Sequence, residues 1–226
     1  LLILYGNGAY TRNFVFKSPL SMWLDVAQKS PNLARAHCNL GKTYMDLGYD
    51  LEAKKSLEKA LRIKPDMSEA LVNLGKLYFE RFEMKDEAMT LFKRALKATP
   101  DTVIGCMAMG DGYMKLENYE KAEHFYEVAL QRVRPYVPAI NNLGIAKVHL
   151  GKKREAARIF QWGISVEPTH EAFYLNLAKL QANENQFSNA IQTLRRCKAI
   201  NGDSKKTEGL LRAIEKKVNS AKLVKG

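Results

Sequence analysis

The sequence predicts an all-α fold built from five copies of a helix-turn-helix unit. Three observations support this prediction: a period of 34 residues recurs along the chain, small residues recur at fixed positions of each period, and a proline or glycine follows the second helix of each period. Self-similarity at this period is typical of helical arrays, in which each unit packs only against its neighbours.

The period is visible in pairs that join an apolar residue to a small one. These pairs are Leu40-Gly41, Leu74-Gly75, Met109-Gly110, Leu143-Gly144 and Leu177-Ala178. Their spacings are 34, 35, 34 and 34 residues, and the one extra residue lies within 81–85. We therefore number each unit from 1 to 34, with starts at Ala34, Ser68, Val103, Val137 and Glu171.

Each unit carries small residues at positions 8, 20 and 27 and a large apolar residue at position 24. The small residues include Gly41, Ala53 and Ala60 in the first unit, and the large residues are Leu57, Phe92, Tyr126, Phe160 and Leu194. Two helices approach closely only where their side chains are small. The pattern therefore predicts a tight helix pair in which the large residue of the second helix fills the groove.

Proline marks the end of the second helix in four units, because it lacks an N–H group and restricts the residue before it. These prolines are Pro65, Pro100, Pro135 and Pro168, and Gly202 takes the same role in the fifth unit. The pattern is similar to that of the tetratricopeptide repeat family over residues 34–202. The resemblance implies a right-handed superhelical solenoid whose first helices line a concave surface.

The segments outside the repeats receive separate predictions. Residues 18–33 read as a leading helix, the degenerate half of a repeat, with Trp23 on its apolar face. Residues 203–226 read as a basic capping helix and tail, because a solenoid needs a terminal helix with a polar outer face. Residues 1–17 form either an N-terminal tail or a segment that follows a membrane span.

A second resemblance concerns the N-terminal part of the chain. Residues 10–41 are similar to the junction that precedes the repeats in multi-span membrane glycosyltransferase-like proteins of the mannosyltransferase type, through Arg12-Asn13, Trp23 and Lys29-Ser30-Pro31. It implies an accessory domain that presents an acceptor protein near a membrane, on its non-cytoplasmic face. The alternatives are a frayed terminus and a cytoplasmic protein.

The sequence shows no arrangement of residues that is typical of an active site or a metal site. None of the four histidines lies four residues from another, the three cysteines are far apart, and no phosphate-binding glycine loop occurs. Catalysis and metal binding both need converging groups. We therefore predict a non-enzymatic protein with no metal, no cofactor and no small-molecule substrate.

The family resemblance assigns candidate binding residues to the first helix of each unit. Position 6 holds asparagine in four units, and a row of amides can clasp the backbone of an extended peptide. Alternatively, each asparagine bonds only a neighbouring helix. The candidate residues are Asn39, Asn73, Asn142, Asn176, Asn141, Lys42, Lys76, Lys179, Met45, Phe79, Met107 and Met114.

The chain carries a net charge of +12, which permits acidic proteins, anionic lipid or nucleic acid as partners. Proteins that bind single-stranded nucleic acid combine basic residues with stacking aromatics, and no aromatic residue follows Lys198. The sequence therefore favours a peptide or protein partner, with the lysines of the groove selecting an acidic one. Position 5 has no lysine and position 9 no asparagine, so the pattern that binds chaperone C-termini is absent.

Overall fold

The computed structural model describes residues 18–100 and 102–223, and the side chains as far as residue 219. Within these residues the chain forms twelve α-helices and no strand. The helices are α1 Pro19–Lys29, α2 Ala34–Leu47, α3 Asp50–Ile63, α4 Ser68–Arg81, α5 Lys85–Ala98, α6 Val103–Lys115, α7 Tyr119–Arg132, α8 Val137–His149, α9 Lys153–Val166, α10 Glu171–Asn183, α11 Phe187–Asn201 and α12 Lys205–Leu223. The predicted all-α class is confirmed.

The helices fall into two compact halves, one that extends to Met109 and one that begins at Gly110. From here on these halves are called the first and the second unit, and each helix-turn-helix copy is called a repeat. In the first unit α2 pairs with α3 and α4 pairs with α5, and in the second unit α8 pairs with α9 and α10 with α11. The extra residue of the second repeat lies in the turn between α4 and α5. The predicted boundary between the N-terminal tail and the leading helix lies at the edge of the described residues, and residues 1–17 lie outside them.

Small residues let the paired helices touch. A Cβ atom built on Gly75 would lie 2.4 Å from Cε1 of Phe92, and one on Gly144 would lie 2.4 Å from Cε1 of Phe160. Gly41 meets Leu57 in the same way. The alanines at positions 20 and 27 are fully buried, as at Ala53. The predicted packing of a large residue from the second helix into a groove of small residues is confirmed.

The turn inside each repeat uses one residue in the left-handed conformation. This residue is at position 15, shifted by one place in the second repeat, and its φ angle lies between 55° and 79°. The five residues are Gly48, Glu83, Glu117, Gly151 and Asn185. Three of them carry side chains, so the turn tolerates residues other than glycine, for which this conformation costs about 1 kcal/mol.

Both ends of the repeat array are covered by a helix. Ser18 caps α1 through a reciprocal pair of bonds with Ser21, and Trp23 of α1 packs against the buried cluster of Ala27, Ala36 and Leu40. At the other end, Ile214 of α12 packs into the core formed by Leu194 and the alanines of α10 and α11. Among the described residues, a helix thus packs against the first repeat and another against the last, while the division into a degenerate half repeat and a capping helix stays a prediction.

Candidate functional site

A chain of side-chain hydrogen bonds runs along the first helices of three repeats in the second unit. Nδ2 of Asn176 donates to Oδ1 of Asn141 at 3.0 Å, and Nδ2 of Asn141 donates to Oδ1 of Asn142 at 3.1 Å. Nδ2 of Asn142 then donates to Oδ1 of Asp111 at 3.0 Å. The hydroxyl of Tyr126 donates to the same oxygen at 2.8 Å. We call these five residues the asparagine chain.

The asparagine chain has a fixed direction, because each amide donates toward the carboxylate at its end. Burial, followed by the charge of Asp111 and the hydrogen bond to it, raises the pKa of Tyr126 far above its usual value. The hydroxyl of Tyr126 therefore stays protonated and remains a donor. The asparagines are only half-buried, and a side-chain amide has two N–H donors and an acceptor, so each retains capacity beyond the bond it donates.

The asparagines of the first unit are placed similarly but bond less strongly. Nδ2 of Asn73 lies 3.8 Å from Sγ of Cys38, on the preceding repeat. Burial raises the pKa of the Cys38 thiol to about 11, although the bond from Asn73 opposes this shift. Cys38 is therefore a protonated core residue at neutral pH. Asn39 is half-buried on α2.

Three of the four position-6 asparagines form a hydrogen bond with a neighbouring repeat. Asn73, Asn142 and Asn176 each donate to the first helix of the preceding repeat. Each of these bonds uses one N–H group of the amide. The second N–H group and the oxygen could still bind a peptide, so the bonds do not decide between the two interpretations. Peptide contact by these asparagines stays a prediction.

The other candidate residues differ in exposure. Lys42 and Lys179 are exposed, whereas Phe79 is buried with 9% of its surface accessible. Phe79 therefore contributes to the core more than to an open surface. The half-buried candidates are Lys76, Met45, Met107, Met114 and Asn141.

A pocket opens beside the asparagine chain in the second unit. It has a volume of about 190 Å³ and lies between α8 and α10, against Phe160 of α9. Ile145, Val148 and Leu180 form its apolar lining, and three polar residues complete its wall. The polar residues are Asn176, Lys179 and Asn183. Two of the predicted site residues, Asn176 and Lys179, are thus brought together with an apolar depression.

The list of candidate binding residues left out three residues of this region. Asp111 and Asn183 lie on first helices, to which the family resemblance assigns the binding residues, so their place in the repeat could have identified them. Tyr126 was assigned only to the core, because its position 24 is otherwise filled by Leu or Phe. The polar hydroxyl at an otherwise apolar position was the available signal.

A second polar feature of this unit is a buried ionic cluster on α7, α8 and α9, which we call the Lys147 cluster. The Nζ atom of Lys147, whose side chain is only 7% exposed, lies 2.5 Å from Glu123 and 2.8 Å from Glu155. Lys152 lies 2.7 Å from the other oxygen of Glu123. Burial alone would raise the pKa of Glu123, but the hydrogen bonds from the two lysines outweigh it and hold that pKa below its usual value.

In the part of the chain that the structure describes, no three His, Cys, Asp or Glu residues gather closely enough to hold a metal ion. Helices long and apolar enough to cross a bilayer are likewise absent from residues 18–100 and 102–223. His37, which is 4% exposed, places its Nε2 atom 2.9 Å from the carbonyl oxygen of Pro31.

The fold and the small-residue packing define a protein of the helical-repeat class. Three sequence profiles of this class, each described as a tetratricopeptide repeat, match residues 34–67, 51–104 and 141–204. Together they cover more than half of the chain. The chain belongs to the tetratricopeptide repeat family.

Similar proteins include two human relatives and a solved bacterial structure. The chain is 32% identical to Protein O-mannosyl-transferase TMTC2 over 47% of its length and 26% identical to Protein O-mannosyl-transferase TMTC3 over 72%. It spans only 13% and 20% of the length of these two relatives. Pseudomonas aeruginosa pilF has the same fold, with a TM-score of 0.70 at 20% identity, over 86% of this chain and 88% of that one.

Proposed function

We propose that this chain is a non-enzymatic scaffold that binds an extended segment of a partner protein along the first helices of its repeats. The observation that carries the proposal is the pocket between α8 and α10, where Asn176 and Lys179 border an apolar depression of about 190 Å³. A depression of this size accepts a single apolar side chain. Amides beside it can hold the backbone on either side of that residue.

The asparagine chain supports this proposal by holding its amides in place before a ligand arrives. Asn141, bonded on both sides, cannot rotate without losing a hydrogen bond to Asn142 or Asn176. Side chains that are already ordered lose less conformational entropy on binding. A peptide would therefore meet a preformed row of donors and acceptors, and micromolar affinity, about −8 kcal/mol, is expected.

The charge at the rim of the pocket favours an acidic partner. Lys179 is exposed at this rim, and Lys42 is exposed at the same repeat position in the first unit. Exposed charges of this kind contribute to the rate and specificity of association more than to its final strength. We therefore expect the bound segment to combine an apolar anchor residue with flanking Asp or Glu.

The proposal is tested with peptides selected from a random displayed library on the full chain. The affinity of an enriched peptide is then measured by fluorescence polarisation for the wild type and for variants. Val148→Arg fills the pocket, and Lys179→Glu reverses the charge at its rim. Val148→Arg should weaken binding about tenfold or more, since one desolvated anchor residue contributes over 1.4 kcal/mol. Lys179→Glu should slow the association of an acidic peptide and weaken its binding by less.

A matched control separates pocket binding from overall charge. Lys93→Glu reverses an exposed charge on α5, a second helix of the first unit, and should leave the affinity unchanged. Circular dichroism and melting of each variant verify the fold. Equal binding by the wild type, Val148→Arg and Lys179→Glu would refute the pocket as the peptide site.

A second candidate function rests on the human relatives. We propose, as the alternative, that the repeats are the accessory domain of a membrane-bound O-mannosyltransferase and present the acceptor protein to it. The similarity to TMTC2 and TMTC3 supports this alternative. Under it the glycosyl transfer belongs to a part of the protein outside these repeats. Sequencing of the full-length transcript tests it: many hydrophobic segments upstream favour it, and a reading frame that opens just before the repeats contradicts it.

A further inference from the structure

A larger pocket lies elsewhere in the second unit. It has a volume of about 730 Å³, within the range of small-ligand sites, and is formed by α9, α10 and α11. It shares no lining residue with the smaller pocket between α8 and α10. Its wall is rich in hydrogen-bonding groups, namely Gln161, Gln181, Gln192, Ser165, Arg195 and Arg196.

The charge of this wall is positive. Arg195 and Arg196 both line it, and none of the described residues that line it is an Asp or Glu. Arg195 reaches Glu215 of α12 at 3.4 Å, whereas Arg196 is exposed and makes no ion pair with any described residue. At least one guanidinium, with its fork of donors, is therefore available to a ligand.

Tyr174 supplies the second observation. Its side chain is completely buried, it lines the pocket, and its hydroxyl makes no hydrogen bond with any described residue. Buried polar groups in folded proteins are almost always paired, so an unpaired one calls for an explanation. Burial raises the pKa of Tyr174, against the nearby charge of Arg196, and the hydroxyl therefore keeps its proton and can donate.

We propose that this pocket is a binding site for an oxyanion, a carboxylate or a phosphate group, that pairs with Arg196 and accepts a hydrogen bond from the Tyr174 hydroxyl. The apolar part of the wall, from Ile164, Leu177 and Ala199, accommodates the carbon skeleton that carries the anion. The glutamine side chains around the rim add donors to the remaining oxygens. The site is separate from the proposed peptide groove and does not depend on it.

The test uses the full chain and three probes: glutarate, inorganic phosphate and the neutral diamide of glutaric acid. Calorimetric titration gives the affinity, and the side-chain amide signals of Gln161 and Gln192 in NMR spectra locate the ligand. Saturable binding of glutarate or phosphate with shifts of these signals is expected. Preference for one of the two anions identifies the ligand as a carboxylate or a phosphate ester.

Two variants and a control make the test specific. Tyr174→Phe removes only the hydroxyl and should weaken binding about tenfold or more, because hydrogen bonds to charged groups are strong, while the melting temperature stays the same or rises. Arg196→Gln should also weaken binding. Arg62→Gln, an equal loss of charge on α3 of the other unit, should not. Absence of saturable binding, equal binding of the neutral diamide, or unchanged affinity in Tyr174→Phe would each overturn the proposal.

Discussion

At the scale of single residues, the glycines at position 8 are set by contact distance. Replacing glycine by alanine inside a helix normally stabilises it by about 1 kcal/mol. At Gly75 the added Cβ would lie 2.4 Å from the ring of Phe92, which is only 2% exposed and has little room to move. We expect Gly75→Ala to lower the free energy of unfolding by about 1–3 kcal/mol through overpacking.

Gly209 of α12 provides the matched control, since nothing lies within 4 Å of a Cβ built there. Gly209→Ala should therefore raise the free energy of unfolding by up to about 1 kcal/mol. Urea denaturation followed by helical circular dichroism measures both variants. A Gly75→Ala protein as stable as the wild type would show that Phe92 can move aside and that position 8 does not require glycine.

The small residues at position 8 could be predicted from the sequence, because the same contact between helices recurs in every repeat and leaves a periodic pattern. Such a prediction failed for Lys147, which stands at position 11 where earlier repeats have Tyr44, Tyr78 and Tyr113. The break in the pattern is visible in the sequence and indicates that this position packs differently here. The burial of Lys147 was not predictable, because its partner Glu123 lies 24 residues away and only the fold brings the two together.

At the scale of helices, the helix boundaries could be predicted from the sequence, whereas the hydrogen bonds between helices could not. The first helices begin at Ala34, Ser68, Val103, Val137 and Glu171, where the repeat numbering starts, because proline breaks and small-residue spacing fix helix boundaries. The asparagine chain was not predicted as a network. Asn176 bonds Asn141, which is 35 residues earlier, and sequence alone could not tell this bond from a bond to a ligand.

The Lys147 cluster ties α7, α8 and α9 together, and it yields a prediction about pH. The hydrogen bonds from Lys147 and Lys152 lower the pKa of Glu123 despite its burial. A carboxyl group with a lowered pKa stabilises the fold above the ordinary glutamate value of 4.5 and loses this contribution as the pH falls through the folded-state pKa. Lys147, whose pKa is raised, keeps its contribution up to its ordinary value of 10.5.

We therefore expect Glu123→Gln to be less stable than the wild type at neutral pH by about 2–3 kcal/mol, since it leaves the buried ammonium of Lys147 with one strong partner fewer. The difference should shrink as the pH falls below 4.5. Urea denaturation of both proteins at a series of pH values measures it. Glu58→Gln, at a weak surface pair with Lys54, is the control and should change little. A gap between Glu123→Gln and the wild type that is independent of pH would contradict this account.

At the scale of the whole molecule, the net charge of +12 raises the question of nucleic-acid binding. Several basic side chains of the second unit already form ion pairs within that unit. Lys198 lies 2.7 Å from Asp203 and 3.1 Å from Glu208, and Lys152 belongs to the Lys147 cluster. The carboxylates beside these lysines offset part of their positive charge, so the surface is less attractive to polyanions than the net charge suggests.

This arrangement predicts different salt dependences for two ligands. Affinity for a DNA duplex falls steeply with salt, because each phosphate contact releases counterions, and we expect a loss of about a hundredfold between about 50 and 200 mM salt. A selected groove peptide, held by amides and an apolar anchor, should lose only a few-fold over the same range. Fluorescence polarisation of labelled duplex and peptide measures both, with a scrambled peptide of equal charge as control. If peptide binding fell as steeply as duplex binding, charge alone would account for it, and the groove would have no specific role.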